Sequence, residues 1–178
     1  MTAFSHQPVM LEECMQGLAL RPSGIYFDGT VGGGGHSSEI LRRTAPDGRL
    51  IATDLDKDAI AAADKRLSEF RGRYRIHHAN FKEFASVLDS EGGGELDGVM
   101  LDFGVSSYQL DEASRGFSYM HDAPLDMRMD AGAQLSAADV VNGYDERSIA
   151  RILKEYGEER FAAKIAANIV RARAKAPI

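Results

Sequence analysis

Three aspartates and a run of four glycines are placed in this chain as a ligand site would need them. Gly32 to Gly35 stand between a short apolar run, Ile25-Tyr-Phe27, closed by Asp28, and a stretch opening at His36 that reads as a helix start. Small polar residues begin that stretch, and Glu39 sits in its first turn, where the helix dipole favours an acid. Glycines are needed at such a junction because the chain turns sharply and a ligand lies against bare backbone. A second acid, Asp54, lies 20 residues past Gly34. That is the place from which a carboxylate accepts hydrogen bonds from ribose hydroxyls in doubly wound folds. A third, Asp102, closes the apolar run 96–101. Acids at the carboxyl ends of neighbouring parallel strands face one crevice, where such folds bind ligands.

The spelling of the loop narrows the nucleotide. A phosphate-gripping P-loop requires Gly-Lys-Ser/Thr, and His36 follows Gly35, so ATP or GTP held in that way is not expected. The dinucleotide fingerprint is not decided, because four glycines in a row permit several registers, and a nicotinamide-dependent oxidoreductase on the same sheet stays open. The Asp-x-Gly-x-Gly-x-Gly pattern of S-adenosylmethionine (SAM) methyltransferases is matched by Asp28-x-Thr30-x-Gly32-x-Gly34, with Thr30 in place of the first glycine. A glycine-rich surface loop is the plain alternative, and the placement between strand and helix argues against it.

These residues require a scaffold of alternating strands and helices. Apolar spacing over residues 8–20 predicts a helix packed on the sheet. Residues 49–54 predict the second strand, followed by an alanine-rich helix to about Phe70 that Asp58 would cap. Residues 74–81 predict a shorter third strand running into a loop. His77 and His78 point to opposite faces of that strand and cannot chelate together, so no metal is expected. Phe81 would lie against an adenine face or anchor the next helix. Residues 96–107 read as the most buried of the strands. Residues 111–130 show no period, and their aromatics and methionines mark a functional loop. Ser136-Ala-Ala-Asp139 is compatible with a capping box, and Asp145-Glu-Arg-Ser148 starts a further helix. Five basic residues and no acid occur from Arg160 to Lys175, a solvated or RNA-contacting face.

At 178 residues the chain is sized for one ordinary domain, with 44% apolar and 27% charged residues. A net charge of -6 argues against bulk electrostatic capture of nucleic acid and leaves room for a local basic face. Cys14 is the only cysteine, which suits a reducing cytosol. Glu12 and Glu13 interrupt the N-terminal stretch, so no signal peptide is expected, and no run approaches the ~18 apolar residues of a membrane span. A soluble cytoplasmic protein is expected.

Six motifs together carry a specific resemblance: His6-x-Pro8-Val9, Asp28-Gly-Thr-x-Gly-x-Gly-Gly-His36, Leu101-Asp-x-Gly-Val-Ser-Ser107-x-Gln109-Leu-Asp111, Arg115-Gly-Phe-Ser118, Pro124-Leu-Asp-Met-Arg-Met-Asp130 and Tyr156-Gly-Glu-Glu-Arg-Phe161. The chain resembles the bacterial ribosomal RNA small subunit methyltransferase H family over essentially its whole length. The resemblance implies an α/β Rossmann-like class I methyltransferase, a mostly parallel sheet flanked by helices, with SAM as cofactor. It implies methyl transfer to N4 of a cytidine in the decoding centre of 16S ribosomal RNA. By the same resemblance, SAM contacts fall on Gly34, Gly35, His36, Asp54, Phe81, Asp102 and Gln109. The family is longer and carries an inserted helical domain. Residues 1–108 are therefore expected to form the first four strands of the SAM-binding domain, and residues 109–178 the loop and part of the insertion. The fourth strand would then lie at a sheet edge, which invites a homodimer. Such a chain is expected to be a fragment, active or a non-catalytic SAM- or RNA-binding module.

The chemistry expected of such a site is an in-line displacement, in which the protein aligns donor and acceptor. Cytosine N4 is a poor nucleophile, and an oxygen acceptor on its amino group would help it. Asp102 is the candidate, although the stretch Asp102-Phe-Gly-Val105 lacks the prolines of many amino-directed methyltransferases, and the catalytic role is left open. Phe103, Tyr108, Phe117 and Tyr119 are available to stack on an unstacked base, although for any one of them a place in the core is the favoured reading. Arg115 and Arg128 would meet phosphate or pair internally with acids such as Asp111, Asp126 and Asp130, and internal pairing is the favoured expectation.

Overall fold

The computed structural model describes residues 8–178; His6, the first residue of the N-terminal motif, lies outside that range. The chain divides into two compact units, Met1–Ser107 and Tyr108–Ile178.

The first unit alternates as the sequence predicts. Its elements are α1 (Leu11–Gly17), β1 (Ile25–Asp28), α2 (Gly35–Arg43), β2 (Arg49–Asp54), α3 (Lys57–Arg66), β3 (Tyr74–His78), α4 (Phe84–Ser90) and β4 (Gly98–Met100). The four strands form one parallel sheet in the order β3-β2-β1-β4. Parallel strands are covered on both faces, and period two sorts their side chains. Tyr26, Leu50 and Ala52 point into one buried cluster with Ile40, Leu41 and Ala63 of the helices. Phe27 and Ile51 point the other way, with Val87 of α4. β2 occupies residues 49–54, as read from the sequence.

Two local expectations are corrected. Asp56 caps α3, accepting the Asp58 N–H at 3.0 Å, because the helix begins at Lys57; Asp58 lies inside the first turn. The run 96–107 is not the most buried strand. Only three of its residues pair, at the sheet edge beside β1, and Val99, Leu101, Phe103 and Val105 are exposed while Met100 is buried. An apolar run signals surface that prefers burial, but it does not say which neighbour supplies the cover.

The second unit contains α5 (Ser107–Asp111), whose first residue precedes the boundary, and then α6 (Ala137–Gly143), α7 (Glu146–Glu155) and α8 (Ala162–Arg173). Ser136 and Asp139 form the full capping box on α6, and Asp145 caps α7. The non-periodic stretch before them is held by its arginines. Arg128 forms an ion pair with Asp126 at 2.6 Å, and Arg115 donates to the carbonyls of Arg128 and Met129. Gly116, at φ +71°, allows the backbone of residues 124–127 to close onto it. The motifs 115–118 and 124–130 are thus two halves of one interlocked loop.

Candidate functional site

The register fixes the acids relative to one another. Asp28 pairs with Ala52 of β2 and with Met100 of β4. Asp54 and Asp102 therefore lie two residues beyond Asp28's partners, on either side of β1 and with the same side-chain parity. The three stand at the tips of adjacent strands, as the spacing predicts, yet they do different things.

Asp28 is 1% exposed and does not line a ligand surface. It accepts the Ser37 hydroxyl at 2.6 Å and the Thr30 N–H at 3.1 Å, tying β1 to the glycine loop and to α2. Burial pushes its carboxyl up to about 6, against the opposing pull of those two hydrogen bonds. Asp54 is half-buried and accepts the Gly32 N–H at 2.8 Å and the Asp56 N–H at 2.9 Å. Each carboxylate oxygen retains a further acceptor position. Asp102 is exposed, and its backbone N–H is held by the Thr30 hydroxyl at 2.8 Å.

The loop between β1 and α2 is stitched to both neighbours. Gly29 N–H donates to Met100 and Val31 N–H to Thr53, each at 3.0 Å, and the Thr53 hydroxyl donates to Gly29. Gly32 and Gly34 adopt positive φ, +49° and +75°, matching the alternating register of the pattern that starts at Asp28. Gly34 is also pressed by α3, since a Cβ there would lie 3.1 Å from the Ala63 Cα. A Cβ on Gly32 would meet no atom closer than 3.9 Å, so that glycine's backbone borders open space. The first N–H groups of α2 have no partner within the helix.

His36 is buried, and its ring Nε2 lies 3.0 Å from the Val9 carbonyl oxygen. Pro8 fits against Gly35, where a Cβ would approach it to 2.4 Å. Pro8 and Val9 thus cover the start of α2, a link between two motifs that sequence spacing could not show. Phe81 begins a 3-10 turn at Phe81–Glu83 and packs tilted against Phe103, ring centroids 5.4 Å apart. Gly29 admits it, because a Cβ there would lie 2.8 Å from the Phe81 Cβ. Gln109 belongs to α5 in the second unit and is buried. Sequence reasoning missed Thr30, Thr53 and Ser37. The available signal was Thr30 itself, a hydroxyl where the pattern calls for glycine.

A parallel sheet with a glycine loop after its first strand and a carboxylate at the tip of its second defines a Rossmann-like nucleotide-binding protein. The model of the MraW methylase family matches residues 3–178. The ribosomal RNA small subunit methyltransferase H of Symbiobacterium thermophilum is 57% identical over 99% of this chain and 55% of its own length. Its namesakes in Geotalea uraniireducens and Clostridioides difficile are 53% and 50% identical, over 100% and 98% of this chain and 57% and 56% of theirs. The chain belongs to the MraW methylase family, a class of methyltransferase that implies S-adenosylmethionine as cofactor. It spans about half the length of the curated relatives it matches. No described helix is long and apolar enough to cross a membrane.

Proposed function

We propose that the strand-tip crevice of the first unit binds SAM, and that the protein methylates N4 of a cytidine in the decoding centre of 16S ribosomal RNA, in the cytoplasm. The observation that carries this reading is Asp54. Its carboxylate closes the glycine loop through the Gly32 amide and retains acceptor positions for two vicinal ribose hydroxyls. The backbone of Gly34, Gly35 and His36 would support the ligand, Phe81 would flank its base, Asp102 would meet its polar end, and the family resemblance adds Gln109.

SAM supplies an electrophilic methyl group when bound. The chain's own contribution is orientation and charge. The Thr30 hydroxyl fixes the Asp102 main chain, and the exposed carboxylate can accept a hydrogen bond from a cytosine amino group, drawing its lone pair out of the ring. Exposed Phe103 stands beside Phe81 as a stacking surface for an unstacked base. The exposed edge of β4 would pair two chains in a homodimer.

The test is transfer of labelled methyl from SAM to small ribosomal subunits lacking the modification, with the product nucleoside identified by mass spectrometry. N4-methylcytidine in 16S ribosomal RNA is expected. SAM binding without transfer would instead make the chain a binding module, and a different nucleoside would overturn the substrate assignment.

A further inference from the structure

Charge in the second unit is unevenly distributed. Residues 111–146 hold eight acidic and two basic residues, whereas residues 147–175 hold eight basic and three acidic ones. The chain's net charge of -6 therefore conceals a basic half. Not all of that half faces solvent: Arg173 is half-buried and donates to the Val141 carbonyl at 2.6 Å, so it is spent on structure.

Helix α7 presents the ordered part of this charge. At about 100° per residue, Arg147, Arg151 and Lys154 fall within an arc of roughly 60°. Ile149, Ile152 and Leu153 occupy the opposite side, and Ile149 is buried. All three cations are exposed, and among the described residues no hydrogen bond or ion pair engages their side chains. Glu155 and Glu158 lie four residues after Arg151 and Lys154, yet among the described residues neither forms an ion pair with them. The three cations thus form an exposed row along one face of the helix, the arrangement that follows a phosphate backbone.

We propose that the solvent face of α7 is a phosphate-contacting surface for the RNA substrate, with Arg147, Arg151 and Lys154 as its cations. The proposal rests on the reading of the protein as an RNA methyltransferase and assigns part of that substrate's contact to this helix. Because the three side chains carry no structural bonds, glutamine at these positions should leave the fold intact, and glutamine is a good helix former.

The experiment measures binding of protein-free 16S ribosomal RNA as a function of salt. It compares the parent chain with Arg147→Gln/Arg151→Gln/Lys154→Gln and with a charge-matched control in the first unit, Arg49→Gln/Lys65→Gln/Arg71→Gln. Circular dichroism monitors folding. The α7 variant is expected to lose about tenfold or more in affinity at low salt, and its log-log salt slope to fall by about 2, while the control stays near the parent. Equal losses in the two variants would reduce the effect to net charge and overturn the proposal. An α7 variant that binds like the parent would overturn it while leaving the methyltransferase reading in place. A parent chain that binds no RNA would remove both. Loss of binding to anionic vesicles with RNA binding unchanged would reassign the face to a membrane surface.

Discussion

The Thr30 hydroxyl accepts the Asp102 backbone N–H at 2.8 Å, while on the other side of the same loop Asp54 accepts the Gly32 N–H at the same distance. One short segment after β1 is thereby fastened to the tips of both neighbouring strands. The strand tips are joined by hydrogen bonds between loops, over a sheet whose core lies beneath them.

Asp28 makes stability depend on pH. Its carboxyl is pushed up from 3.8 to about 6 by burial, so the unfolded chain releases that proton first as pH rises. The stabilisation from the protonated form is complete below about 4 and is lost as pH rises through about 6. The shift is worth on the order of 3 kcal/mol. Urea midpoints recorded from pH 4 to 7 should fall across that window in the parent and stay flatter in Asp28→Asn. Parallel curves would contradict the assignment.

Gly34 carries two constraints, a φ of +75° and the Ala63 backbone at 3.1 Å from any Cβ. Gly34→Ala is expected to cost about 1–3 kcal/mol and to weaken SAM binding, as thermal melts and calorimetry would show. Unchanged affinity in the folded variant would place the ligand elsewhere.

In the second unit, Gly116→Ala should be worse than Gly72→Ala in the first. The two share positive φ, +71° and +87°, but a Cβ on Gly116 would lie 2.4 Å from the Pro124 carbonyl oxygen, and one on Gly72 would meet nothing within 4 Å. Conformational cost alone predicts about 1 kcal/mol at Gly72, and the clash predicts about 2 kcal/mol or more at Gly116. Equal denaturation midpoints would argue against the interlocked loop.

β4 offers an edge whose Val99 is 50% exposed and whose neighbour Phe103 is 68% exposed. Sedimentation velocity should show concentration-dependent association of the chain, reduced by Val99→Lys, since an edge lysine opposes strand pairing. A monomer at every concentration would contradict the dimer.

The sequence was most legible where local chemistry decides. The strand at 49–54, the capping box of Ser136 and Asp139 and the Asp145 cap need no distant partner, and they stand where the residues place them. The expected internal pairing is met by Arg128 with Asp126, and Arg115 also donates to main-chain carbonyls. Contacts between distant segments were illegible. That Val9 would meet His36, or Ser37 reach back to Asp28, follows from how α2 lies on the sheet, and no spacing rule encodes it. The run at 96–107 misled because apolar residues record a preference for burial without naming the surface that provides it.

Asp54 and the glycine loop are proposed to hold an adenosyl ligand, which calorimetric titration can measure. The chain is titrated with SAM and, separately, with NAD, in parent and Asp54→Ala forms, with folding checked by circular dichroism. Saturable heat with SAM alone, lost or weakened at least tenfold in folded Asp54→Ala, is the predicted result. Binding of NAD in place of SAM, or SAM binding indifferent to Asp54, would contradict it.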